Sequence, residues 1–252
     1  MFKRTRLKTA LAAALLLSAG AAHAAELVVS AAASLTNAFK ELAHSFEQQN
    51  PGVQVITNFG ASDILMQQIV RGAPADVFAS ADQAAMDKAV AEKAVNPASR
   101  KNFAANQIVL IVPHDGKLQP AALADLSQPG YRRIALGNPA SVPFGRYTKA
   151  ALESAGLWQQ VAAKAVMAEN VRTSLDYVAR GEVDAGFVFA TDAAVMPDKV
   201  KVAVRIPSAA PATYPIAVTA GSRQKELADK FIGHVLSPAG QAVLARYGFL
   251  KP

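Results

Sequence analysis

Ser34 and Ser62 are hydroxyls placed where a short β-rich run gives way to a helical pattern. Two further segments, Pro143-Phe144-Gly145 and Glu169-Asn170-Val171, also stand at apparent helix starts. A helix start exposes backbone N–H groups that have no partner inside the helix, and the aligned peptide dipoles place partial positive charge there. Such a start suits an anion, and several of them converging on one point form an anion cage that needs no lysine. The competing reading is local: a serine at a helix start usually serves as its N-cap, and Ser34 and Ser62 fit that role too.

The signatures of catalysis are missing. The chain has no Gly-x-Ser-x-Gly elbow, no Gly-rich loop ending in Gly-Lys-Ser/Thr and no His-Glu-x-x-His. His44, His114 and His234 are isolated, which predicts surface or satisfied core histidines and no metal site. Cysteine is absent, so neither disulfides nor thiolate chemistry contribute. A hydrolase with Ser34 or Ser62 as nucleophile would need a base within hydrogen-bond reach, and no histidine stands in a recognisable context for either. Asp63, directly after Ser62, would repel a dianion or accept a proton from hydrogen phosphate if it faced the ligand; at a first helical turn it is expected to point sideways, toward the helix dipole. Arg146 and Arg172 are expected in solvated positions, drawing anions toward the site by their field.

These residues need a scaffold, and the sequence supplies an alternation of short apolar runs with amphipathic periods, the mark of an α/β fold. Strands are expected at 27–29, 53–59, 77–79, 107–112, 133–136, 186–189, 200–204 and 216–218. Leu35, Ala38, Phe39, Leu42, Ala43 and Phe46 recur at helical spacing until Asn50-Pro51-Gly52 stops them. Further helices are expected after Gly60-Ala61-Ser62 and over 86–94, 145–154, 171–180, 223–236 and 238–247. No internal repeat or long linker interrupts the pattern.

The first 24 residues have a different character. Lys3, Arg4, Arg6 and Lys8 precede an apolar run from Ala10 to Leu17 and a small-residue ending, Ala22-His23-Ala24. This predicts a secretory signal peptide cut before Ala25, since the run is too short to span a membrane. Four of the basic charges leave with it, which takes the formal charge from +7 to +3 and removes any case for nucleic-acid binding. An effector-sensing module of a regulator is disfavoured by the same export signal.

Five segments carry a resemblance: AAASLTNAF (31–39), GAPADVFASAD (72–82), VPFGRY (142–147), AENVR (168–172) and RYGF (246–249). From Leu27 to the C-terminus the chain is similar to the periplasmic molybdate-binding proteins of ABC importers. The resemblance implies a two-lobed type II periplasmic binding protein fold, each lobe a mostly parallel sheet flanked by helices, with the ligand in the cleft. One lobe would comprise 25–105 plus 215–252 and the other 106–214.

The resemblance also implies a binding protein and no enzyme, with molybdate or tungstate as ligand, no cofactor and a membrane permease as partner. The protein is expected to be periplasmic and monomeric. Ser34 and Ser62 match positions that give hydroxyl and backbone donors, and Phe144 and Val171 match positions that give backbone N–H groups. A tyrosine often adds one more donor where this chain has Phe189. A phenyl ring cannot donate, so water or Thr191 would have to replace that bond. Sulfate or phosphate is the nearest alternative ligand. Ferric ion, typically held by neighbouring tyrosines, is disfavoured because the five tyrosines include no adjacent pair.

Overall fold

The computed structural model describes residues 24–207 and 211–252. Of the expected signal peptide, all but Ala24 lies outside the described residues. In chain order the regular elements are β1 (Ala25–Ala32), α1 (Thr36–Gln49), β2 (Val53–Gly60), α2 (Ser62–Val70), β3 (Val77–Ala79), α3 (Gln83–Ala91), β4 (Lys101–Asn106) and β5 (Ile108–Pro113). They continue with β6 (Ile134–Gly137), α4 (Pro143–Ser154), α5 (Trp158–Ala162), β7 (Ala165–Ala168), α6 (Val171–Ala179), β8 (Ala185–Phe189) and α7 (Ala190–Ala193). The chain closes with β9 (Val200–Arg205), β10 (Ala212–Val218), α8 (Lys225–Leu236) and α9 (Pro238–Arg246).

The strands assemble into two five-stranded sheets, ordered β2-β1-β3-β10-β4 and β7-β6-β8-β5-β9. In the first, β1 runs parallel to β2 and β3, while β10 is antiparallel to both β3 and β4. The second repeats the scheme: β6 is parallel to β7 and β8, and β5 is antiparallel to β8 and β9. Each sheet is therefore a parallel one with a single reversed strand. That reversed strand is the first to form after the chain crosses between lobes. Gln107 alone separates β4 from β5, and residues 206–211 carry the chain back to β10. By sheet membership, β4 extends to Asn106 and β10 begins at Ala212, a few residues to either side of the expected limits.

Burial follows from the patterns that predicted the elements. α1 turns Ala38, Phe39, Leu42, Ala43 and Phe46 inward, and the Asn50 side chain ends it by donating to the Phe46 carbonyl at 2.8 Å. β5, flanked by strands on both edges, buries Ile108 to Val112 completely or nearly so. Phe103, Phe189 and Phe249 each pack edge-on against the Tyr214 ring, so aromatic contacts run from the first lobe into the second.

The registers bring the working ends together. Ala32 of β1 lies opposite Gly60 of β2, and Ala31 lies opposite Ala79 of β3, so the loops carrying Ser34, Ser62 and Ala81 leave one edge of the first sheet. Gly137 of β6 lies opposite Ala168 of β7, which places the starts of α4 and α6 side by side on the second. Ligands of open α/β sheets gather beyond these carboxyl-terminal strand ends.

Candidate functional site

Neither serine caps its helix. Ser62 is the first residue of α2, whose N-cap is Ala61, and the Ser62 hydroxyl makes no capping bond. Its oxygen accepts instead from the Ala81 N–H at 3.0 Å, across from the turn after β3. Ser34 sits in a single 3-10 turn, Ala33–Leu35, that leads into α1. Its Oγ lies 3.0 Å from the Tyr214 hydroxyl, reached from β10. The local N-cap reading of both residues is thereby replaced by long-range contacts, and both side chains are buried.

The Ser34 contact continues into its neighbours. Asn106 Oδ1 accepts from the Gln107 N–H at 2.9 Å, which fixes the amide orientation, and its Nδ2 then donates to Thr191 Oγ1 at 2.8 Å and to Tyr214 Oη at 3.3 Å. The Asn106 amide already donates to the phenol oxygen, and Ser34 Oγ is within reach of the phenol's own proton. Burial pushes the Tyr214 phenol far above its usual range, so it stays a donor. Ser62 Oγ accepts a bond from protein and keeps its own proton to donate, and Ser34 Oγ can do the same toward the phenol beside it.

The second lobe offers amides. Pro143 opens α4 and has no N–H, so the amide of Phe144 is the first donor of that helix. At α6, the Asn170 side chain caps the N–H groups of Arg172 and Thr173 at 2.9 and 3.1 Å. The amide of Val171, first residue of the helix, is not among those it takes. Both helices exceed two turns, so their dipoles add positive potential at the same ends.

Ser34, Ser62, Phe144 and Val171 all line one cavity of about 10 Å³, together with Phe189 and the small residues Ala32, Ala33, Ala61 and Ala81. That is room for roughly one water-sized occupant in the closed arrangement. A larger concavity, about 1090 Å³, lies near Ala25, Asp76 and Thr219 at the opposite strand ends, away from all four donors. Phe189 presents its ring to the small cavity and packs edge-on against Tyr147 and Tyr214. Thr191, the candidate substitute donor, does not line the cavity; its oxygen accepts from Asn106.

The charged residues depart most from expectation. Arg146 is not solvated: it bonds Asp63 and Asp82, with about a fifth of its side chain exposed. Burial pulls the guanidinium down, but the bonds and charges of the two carboxylates outweigh that and hold it above its usual value. Asp63 is in the first turn of α2 as expected, yet fully buried, with Lys88 on one oxygen at 2.8 Å and Arg146 on the other at 2.5 Å. Arg172 likewise turns inward, its Nε 2.6 Å from Asp192 Oδ1. That contact is too poorly aligned for a hydrogen bond, and neither Asp192 oxygen has one. Burial raises the Asp192 carboxyl to about 6, against the pull of Arg172. Among the described residues, no three or more His, Cys, Asp or Glu side chains cluster as a metal site.

Sequence reasoning did not reach Tyr214, Asn106 or Ala81. The signal that existed was the position of Asn106 and Tyr214 on the two strands next to the crossovers.

Two lobes with helix starts and buried hydroxyls lining a common cavity define the class of a binding protein for a small ligand. Consistent with that class, the family model of the bacterial extracellular solute-binding proteins matches residues 27–250, and the chain belongs to that family. It is 37% identical over 235 residues to the molybdate-binding protein ModA of Escherichia coli, covering 89% of this chain and 88% of the relative. The periplasmic molybdate-binding protein of Azotobacter vinelandii superposes with a TM-score of 0.79 at 27% identity, covering 90% of this chain and 99% of the other. The sulfate-binding protein SubI of Mycobacterium tuberculosis also superposes with a TM-score of 0.79, at 19% identity over 89% of this chain and 86% of the other, a likeness of fold alone.

Proposed function

We propose that the protein binds molybdate between its lobes and delivers it to the membrane permease of an ABC importer, as its similarity to molybdate-binding proteins suggests. One observation carries the reading: two buried serines that cap nothing line the same cavity as Phe144 and Val171, the second and first residues of their helices. A site of neutral donors offers nothing to accept a ligand proton, so it suits an oxyanion that is fully ionised at neutral pH. Removing water on closure strengthens every one of these contacts. Tungstate matches molybdate in charge and shape and is expected to bind as well.

Hydrogen phosphate fits less well. Asp63 does not line the cavity, and its two oxygens are held by Lys88 and Arg146, so it is not placed to take a ligand proton. A serine hydrolase also fits less well, because the partners of the two hydroxyls are a phenol and an amide, neither of which is a base. The chain is read as exported, with cleavage before Ala25.

Titration calorimetry with molybdate, tungstate, sulfate and phosphate tests the proposal. Molybdate and tungstate should bind most tightly, and Ser62→Ala should weaken molybdate at least tenfold, since a hydrogen bond to a charged group contributes about 1.5–3 kcal/mol. Heat from phosphate with none from molybdate would overturn it.

A further inference from the structure

Arg146 reaches across the gap between the lobes. It stands in the first turn of α4, in the second lobe, and its Nε and Nη2 meet Asp82 Oδ2 at 2.7 and 2.6 Å while Nη2 meets Asp63 Oδ2 at 2.5 Å. Both carboxylates belong to the first lobe and are almost wholly buried. Within its own lobe the guanidinium is steadied by the Pro139 carbonyl, 3.3 Å from Nη1. Lys88, on α3 of the first lobe, completes the group through Asp63 Oδ1.

Three of the four members of this bridge stand next to, or two residues from, a residue that lines the cavity. Asp63 follows Ser62, Asp82 follows the Ala81 whose amide holds Ser62, and Arg146 is two residues beyond Phe144. The bridge carries two negative and two positive charges, so it presents no net charge to the cavity. Without Arg146, two desolvated carboxylates would be left with Lys88 alone beside a site for a dianion, and uncompensated buried charge is strongly unfavourable. The bridge also requires contact between lobes that the chain connects through Gln107 and residues 206–211.

We propose that Arg146 is an inter-lobe latch. In the closed molecule it joins the second lobe to Asp63 and Asp82 of the first, and in the same act cancels the charges that would oppose a bound dianion. The charge-cancelling part rests on the anion-cage reading. The latch itself is a contact between lobes and is readable with no ligand present.

The chain lacks cysteine, so residues introduced by Gln67→Cys on α2 and Gln159→Cys on α5, both exposed positions, take spin labels without competition. Inter-lobe distances are measured in that background and with Arg146→Gln added, with and without molybdate. A third form combines Arg146→Gln with Asp63→Asn and Asp82→Asn. Arg146→Gln should lengthen the ligand-free distances and weaken molybdate at least tenfold. The combined form, freed of the unpaired carboxylates, should recover most of that affinity while its ligand-free distances stay long. An Arg146→Gln form whose distances match the parent overturns the latch, and a combined form that binds no better than Arg146→Gln alone overturns the charge-cancelling part. If no oxyanion binds the parent while Arg146→Gln still lengthens the distances, the inter-lobe contact stands and the anion reading fails. If molybdate binds parent and Arg146→Gln equally, the anion reading stands and the charge-cancelling role falls.

Discussion

Two serines make up the part of the site most legible in the sequence, because a hydroxyl at a strand-to-helix junction is visible locally. What holds them is not visible in the same way. The partner of Ser34, Tyr214, is 180 residues away, and the guanidinium on Asp63 is 83 residues away; no local pattern encodes either meeting. Reading Arg146 and Arg172 as solvated failed for the same reason, since the carboxylates that draw them inward sit on other elements. The chain Asn106–Tyr214–Ser34 yields a prediction at this scale. Tyr214→Phe keeps the packed ring but removes the hydroxyl beside Ser34 Oγ, so that serine loses the partner that holds it at the cavity. Molybdate affinity should fall by about tenfold, near 1.4 kcal/mol, with Ser34→Ala in the same background adding little. Independent, additive losses measured by calorimetry would show that the phenol does not act through Ser34.

Helices with an apolar period, and strands with a continuous apolar run, were readable from spacing alone. β4, β7 and α5 were not. β4 begins with the exposed, polar Lys101 and Asn102, β7 is four residues of partly exposed edge strand, and α5 is a five-residue helix with one fully buried side chain. β10 was recognised only in its second half, because Pro215 interrupts the pattern where the pairing with β4 shifts register. The seating of α4 depends on a pair of glycines. A methyl group on Gly145 would lie 2.4 Å from the Gly137 carbonyl oxygen and 2.6 Å from its carbon, and both are backbone atoms that cannot rotate away. Gly145→Ala must therefore lift the helix start that offers the Phe144 amide. Stability should drop by about 1–3 kcal/mol, and molybdate affinity should drop with it. Gly233→Ala in α8, with nothing within 4 Å of the added carbon, serves as the control and should hold or gain stability in thermal unfolding. A Gly145→Ala protein that melts and binds like the parent would mean that α4 is seated some other way.

Across the whole molecule, one titration should be visible in the unfolding equilibrium. The buried Asp192 carboxyl titrates at about 6 in the fold against 3.8 ordinarily, so the folded chain holds that proton more tightly than the unfolded one. Its contribution is fully present below about pH 4 and is lost as pH rises to about 6. Relative to Asp192→Asn, the stability of the parent should decline by about 2 kcal/mol between pH 4 and pH 7. Urea unfolding of the two proteins across that range is the measurement, and parallel curves would remove Asp192 as the cause. The interleaving of the sheets also has a bearing on biogenesis. β10 lies between β3 and β4 yet is the last strand to leave the ribosome, so before it arrives the first sheet is split into two unjoined pieces. The second sheet, built wholly from 108–205, is complete by then. A nascent chain consequently keeps its first lobe open until its last sixth or so emerges, while the second lobe can already close.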